Sequence, residues 1–101
     1  MILVTGSVQL RPETRAKAIE QGCKHSRRSR SEIGCIAHNC MVDAEDPDRM
    51  VFYEEWQDMA ALQTHFKVPA SGEFVRGITE LAASPPDIRI FEANALDQTP
   101  F

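Results

Sequence analysis

The sequence predicts an α+β fold, a four-stranded antiparallel sheet with helices on one face, and two observations carry that expectation. Apolar periodicity runs strand, helix, strand, strand, helix pair, strand along the chain, which is the split βαβ order of a ferredoxin-like sandwich. The 101 residues, 43% hydrophobic and 26% charged, have the composition of one soluble globular domain and leave no room for a second. A single domain over 1–101 is expected, with its core at 1–95 and a tail at 96–101 that shows no strong pattern.

Residues 1–10 read as a strand, with Ile2, Val4, Val8 and Leu10 on one parity and Leu3, Thr5, Ser7 and Gln9 on the other. Pro12 suits the first turn of a helix, where its missing N–H costs nothing. From there to about Ser31, the residues Ala16, Ile19, Cys23 and Ser26 recur at three- and four-residue steps, a stripe that would lie on the sheet. Gly22 weakens this helix slightly, and Ile33-Gly34 marks a turn. Residues 35–42 form a second strand, 43–48 a polar loop, and 49–56 a third strand rich in aromatic and β-branched side chains. The loop length fits an antiparallel hairpin. Asp58 is a plausible N-cap for a short helix over 59–66. Pro69 and Ser71 open another that runs to about Ala83, with Phe74, Ile78, Leu81 and Ala82 on one face. Ser84-Pro85-Pro86 stops it, and 87–94 give a fourth strand.

Both faces of this sheet are apolar. Met50, Phe52 and Trp56 oppose Val51 and Tyr53; Ile36 and Val42 oppose Ala37 and Met41; Ile88 and Ile90 oppose Phe91 and Ala93. Helices from one chain hide only one face, and an exposed apolar face is an association site. The economical solution is a two-fold homodimer with the open sheet faces packed together.

Eleven Lys and Arg against fifteen Asp and Glu give a net charge of −4, which argues against nucleic acid or an anionic membrane as partner. No apolar run approaches the ~20 residues that span a bilayer. The start of the chain has no basic leader, so a cytoplasmic location is expected. The basic run at 24–30 falls at the C-terminal end of the first helix, where cations complement the macrodipole. It lacks interleaved aromatic residues and reads as a solvated face, with the acidic loop 43–48 available to neutralise it. Cys23, Cys35 and Cys40 are odd in number and form no C-x-x-C pair, so they read as reduced small apolar side chains. Cys35 and Cys40 have opposite parity and would point to opposite faces. No histidine pair has metal-ligand spacing and no glycine-rich phosphate loop is present, so no metal is expected.

Several polar residues fall in apolar places. Glu54 shares a strand face with Phe52 and Trp56, His38 alternates with Ile36 and Cys40, and Asn39 alternates with Ala37 and Met41. His65 lies beside the stripe of Met59, Leu62 and Phe66. Burial without a partner costs each neutral group about 1–3 kcal/mol. Either they satisfy one another or they line a cavity. Glu54 could bond a backbone N–H or an arginine such as Arg76 or Arg89. His65 could cap carbonyls at a helix end. The Trp56 indole N–H needs a partner if buried. Parity puts His38 with Glu54 and Trp56, and puts Asn39 toward the dimer interface unless a β-bulge intervenes.

The run Ile33-Gly34-Cys35-Ile36, then Asp46-Pro47-Asp48-Arg49, Phe52-Tyr53-Glu54-Glu55-Trp56 and Leu62-x-x-His65-Phe66 resembles the antibiotic biosynthesis monooxygenase (ABM) family of dimeric α/β barrels, which includes quinol monooxygenases. The likeness extends from the first strand to the fourth. It implies a homodimer and a cofactor-independent monooxygenase that oxidises an aromatic phenol or hydroquinone with O2. On that reading His65 is the catalytic base or acid. Trp56 and Phe52 wall the substrate, His38 or Asn39 bonds a substrate oxygen or peroxide, and Glu54 orients a histidine. Two other readings stay open. One is a non-catalytic dimeric stress-response or ligand-binding barrel. The other is a haem-degrading monooxygenase, for which Trp56 and His65 match but strand one, with no asparagine, does not.

Overall fold

Seven elements follow the expected order in the computed structural model, which describes residues 1–97. They are β1 (Ile2–Gln9), α1 (Arg15–Ser29), β2 (Cys35–Asp43), β3 (Asp46–Trp56), α2 (Met59–Lys67), α3 (Pro69–Leu81) and β4 (Asp87–Glu92). The sheet order is β2-β3-β1-β4, with every neighbouring pair antiparallel. This is the ferredoxin-like α+β arrangement that the alternation predicted. The tail residues 98–101 lie outside the described residues.

The helices cover one face of the sheet. Ile2, Val4 and Val8 of β1 and Met50, Phe52, Glu54 and Trp56 of β3 turn toward them and are buried. The apolar core has two parts. Val8, Leu10, Ala18, Met50, Phe52 and Ile78 form one cluster, and Ile2, Val4, Trp56 and Leu62 form the other.

Local chemistry explains where the elements depart from expectation. Pro12 lies in a turn ahead of α1 rather than inside it: the Thr14 hydroxyl accepts from the Arg11 N–H (3.3 Å) and donates to the Leu81 carbonyl (2.7 Å). The buried side of α1 is Ala18, Gly22, His25, Ser26 and Ser29, and Ala16 is exposed. Gly22 sets this rotation. A Cβ there would fall 2.8 Å from Cys40 Sγ and 3.0 Å from Met50 Sδ, so the helix seats its smallest residue against the sheet.

In β2 the register slips by one residue, from Cys35 opposite Trp56 to Ala37 opposite Glu55. This bulge leaves Ile36 unpaired and 57% exposed. Cys35 and Cys40 therefore face the same, helix-covered side, contrary to simple parity. The β2–β3 strands run on to Asp43 and Asp46, so the turn has two residues where a six-residue loop was expected. Asp43 and Asp46 accept from the N–H groups two residues on (2.8 and 3.0 Å). The acidic residues pair with Arg49 and Arg15, not with the basic run.

Asp58 caps α2 by accepting from the Ala61 N–H at 2.8 Å, and Pro69 opens α3. β4 ends at Glu92, two residues early, and every residue in it is exposed. By register, Leu3, Met41, Val51, Tyr53 and Phe91 occupy the face without helices; Met41 and Phe91 are 45% and 47% exposed.

Candidate active site

The chain has three histidines, and the fold brings all three together. His25 comes from α1, His38 from β2 and His65 from α2, with ring centroids 5.0, 5.3 and 5.5 Å apart. All are buried. They sit between the two apolar clusters, His25 stacking on Phe74 at 4.0 Å and His65 lying 4.6 Å from the Trp56 ring.

Each imidazole has one nitrogen tied to an outer partner. Arg28 Nη2 donates to His25 Nδ1 (2.8 Å), which leaves the proton of neutral His25 on Nε2. Ser26 Oγ bonds His38 Nδ1 at 2.8 Å. Glu32 accepts from His65 Nδ1 at 2.9 Å, which leaves His65 Nε2 with the lone pair. Arg28 completes the support by donating to Glu32 (2.8 Å) and to Ser71 Oγ (3.1 Å). His38 Nε2 is buried without a hydrogen bond, 3.4 Å from Glu54 Oε1. That same oxygen accepts from the Trp56 indole at 2.9 Å, so Glu54 is partnered by Trp56 rather than by Arg76, Arg89 or a backbone N–H.

Burial dominates the electrostatics. It pushes His25 down to about 3, with His38, His65 and Arg28 acting in the same direction. It pushes His38 down to about 3, assisted by His65, Arg30 and Arg28. It lowers His65 too, but there the Glu32 carboxylate pulls the other way. Glu54 is raised to about 6 by burial, against the opposing effect of the indole bond and with a further push from Glu32. The site near neutral pH is thus three uncharged imidazoles and one carboxyl that titrates close to neutrality.

A cavity of about 80 Å³ opens beside this cluster. His25, His65, Glu54, Phe52 and Phe74 line its inner wall together with Val4 and Val8, and Phe66, Val75 and Ile88 contribute to the rest. Of the residues singled out from sequence, His65, Glu54 and Phe52 therefore reach the cavity. Trp56 and His38 stand behind them, fully buried and not on the wall, so neither contacts a ligand there as expected. Asn39 is not in the site. It is exposed on the opposite sheet face, next to Arg30, because the bulge at Ile36 precedes it and leaves the parity of His38 and Asn39 unchanged.

His25 and Arg28 fall in the basic run that reads from sequence as a solvated face, Glu32 follows it without a sign of its role, and Ser26 is on the expected sheet-facing stripe but carries no expected part in the site. The readable signal was the spacing of 18, 22, 25, 26 and 29, one continuous helical stripe that carries His25 inward. Spacing along the chain does not reveal the three histidines as a group, because they come from separate elements.

Comparison with known proteins agrees with this architecture. The family model described as antibiotic biosynthesis monooxygenase matches residues 1–77. An uncharacterised Synechocystis protein, sll1783, is 33% identical over 91 residues, 90% of this chain. The chain spans 62% of that relative's length. A solved antibiotic biosynthesis monooxygenase superposes with a TM-score of 0.86 at 26% identity, covering 94% of this chain and 100% of its own. A Bacteroides thetaiotaomicron protein of unknown function, described as a possible oxidoreductase, gives a TM-score of 0.86 at 29% identity over 91% of this chain and 96% of its own. Among the described residues, no helix is long and apolar enough to cross a membrane. With more than three quarters of its length matched by the family model, the chain belongs to the antibiotic biosynthesis monooxygenase family.

Proposed function

We propose that this protein is a cofactor-independent monooxygenase that oxidises an aromatic phenol or hydroquinone with O2, working as a homodimer joined through its open sheet faces. The observation that carries the reading is His65: a neutral, buried imidazole on the wall of an apolar cavity, oriented through Nδ1 by Glu32. Such a group can take a phenolic proton on Nε2, and the Glu32 carboxylate stabilises the imidazolium that results. The phenolate then passes one electron to O2, and the two radicals join in a C–O bond. Loss of water from the peroxide leaves one oxygen atom on the ring. For a hydroquinone the balance is hydroquinone plus O2 to hydroxyquinone plus water. Phe52 and Phe74 offer apolar walls, Glu54 offers a hydrogen bond to a substrate oxygen, and the Trp56 indole holds Glu54 in place.

Size limits the substrate. A cavity of ~150 Å³ is enough to take up benzene, and the space here is about half that. A single ring enters only if Phe66 and Val75, both half exposed, swing aside, and a larger ring system extends out of the mouth. A porphyrin needs a far larger opening than a single ring does, which disfavours haem degradation. The experiment is O2 uptake with a panel of hydroquinones and phenols. His65→Ala is expected to lower the rate ~10²-fold or more while circular dichroism stays native. A retained rate removes His65 from the mechanism. Silence of the wild-type dimer toward every substrate favours a binding barrel without catalysis.

A further inference from the structure

We propose that His25, His38 and His65 form a binding site for a single divalent transition-metal ion, with Glu54 beside its fourth position. The inference stands apart from the oxygenase reading, although it uses the same residues.

Four observations support it. The three ring centroids form a nearly equilateral triangle of 5.0–5.5 Å, and three imidazoles on a tetrahedral ion at the usual Zn–N distance stand about 5 Å apart, centre to centre. One ligand atom from each ring lies within 4.8 Å of the others; because the centroids already stand at the ligated spacing, the rings reach bonding distance by turning these nitrogens toward a common centre rather than by closing in. His38 Nε2 is fully buried with no hydrogen bond, a state that costs free energy unless something binds there. The outer nitrogens of His38 and His65 are held by Ser26 and Glu32, which is how a second layer orients imidazole ligands and fixes their tautomers.

Charge around the rings is balanced, with Glu32 and Glu54 against Arg28 and Arg30. One contact has to change. Arg28 donates to His25 Nδ1, and His25 must move its proton to that atom to ligate through Nε2. Arg28 Nη2 also holds Ser71 Oγ, so releasing His25 leaves it with a partner. Imidazole ligands without thiolate suit Zn²⁺, Cu²⁺ and Ni²⁺.

The chain has one tryptophan, and its ring is 4.6 Å from His65, so Trp56 fluorescence reports the site directly. The test titrates the metal-free, untagged full-length protein with Cu²⁺ or Ni²⁺ and follows quenching, with Zn²⁺ competing and isothermal calorimetry for stoichiometry. The expected result is saturation at one ion per chain, with His25→Ala and His38→Ala weakening binding at least ~100-fold. Glu32→Gln, which leaves all three ligands in place, weakens it about tenfold. It decides the matter if the histidine variants fail to fold. Absence of stoichiometric quenching, or quenching unaltered in Glu32→Gln and His38→Ala, overturns the proposal. Oxygen uptake is read separately: a bound ion takes the lone pair of His65 and should inhibit oxidation. Protein that oxidises a quinol yet binds no ion overturns this inference and leaves the oxygenase reading standing.

Discussion

At Glu54, burial and one hydrogen bond pull in opposite directions. Burial raises the carboxyl to about 6, and the indole of Trp56 resists that rise. Trp56→Phe removes the donor while keeping an aromatic ring, although it leaves a cavity behind, so Glu54 should titrate higher still. Carboxyl NMR of the variant checks this, and an unchanged midpoint would exclude the indole as the stabilising partner. The histidines make the complementary case. Between about pH 3 and 6.5 the folded protein leaves His25 and His38 neutral, and the unfolded chain protonates them. The unfolded state therefore binds more protons, and stability falls as pH drops below 6.5, by about 1.4 kcal/mol per pH unit for each histidine. Glu54 has the opposite sign: its raised folded value makes it lose stability as pH rises from 4.5 through 6. Two histidines outweigh one carboxyl, so urea midpoints should fall steadily from pH 6.5 to 5. A flat profile would show that the imidazoles are not buried neutral.

The elements deliver these residues through two departures from ideal geometry. Gly22 lets α1 approach β2 and β3 closely enough for His25 and Ser26 to reach the site. Gly22→Ala gains ~1 kcal/mol of helix propensity but drives a methyl group into Cys40, Met50 and Phe52, at a cost of about 1–3 kcal/mol for overpacking. Net destabilisation is expected, measured as a lower urea midpoint with unchanged slope. The β2 bulge acts differently. It places Cys35 inward at the second apolar cluster and leaves His38 opposite Glu54. At α2 the single Asp58 cap orders the turn that carries Leu62 and His65. Asp58→Ala should cost about 1 kcal/mol, with a matching fall in melting temperature.

For the whole molecule, the open sheet face is the feature one chain leaves unfinished. Leu3, Met41, Val51, Tyr53 and Phe91 share it, and a contiguous apolar patch of this kind marks an association surface. On the dimer reading, Met41→Lys places a charge in the contact and should shift the mass measured by light scattering from two chains toward one. Ile33→Lys, at a 95% exposed turn position outside the sheet, should leave that mass unaltered. A monomeric wild-type protein would remove the dimer from the proposal.

Alternation and helical spacing carried the element order, the strand pairing and the helix-covered face, because a strand's period of two and a helix's of 3.6 are written into which residues avoid water. They also marked Glu54, His38, Asn39 and His65 as out of place, since a polar group among apolar neighbours is visible without coordinates, although Asn39 faces away from the site. Their relations were not visible. Arg28 and Glu32 look like ordinary surface residues, and Ser26, on the expected sheet-facing stripe, carries no sign that it will meet His38. Ile36 looks like a core residue until a single extra residue in β2 turns it outward. Pattern along a chain records solvation, one residue at a time. The meeting of His25, His38 and His65 depends on how three elements cross, and only long-range packing sets that.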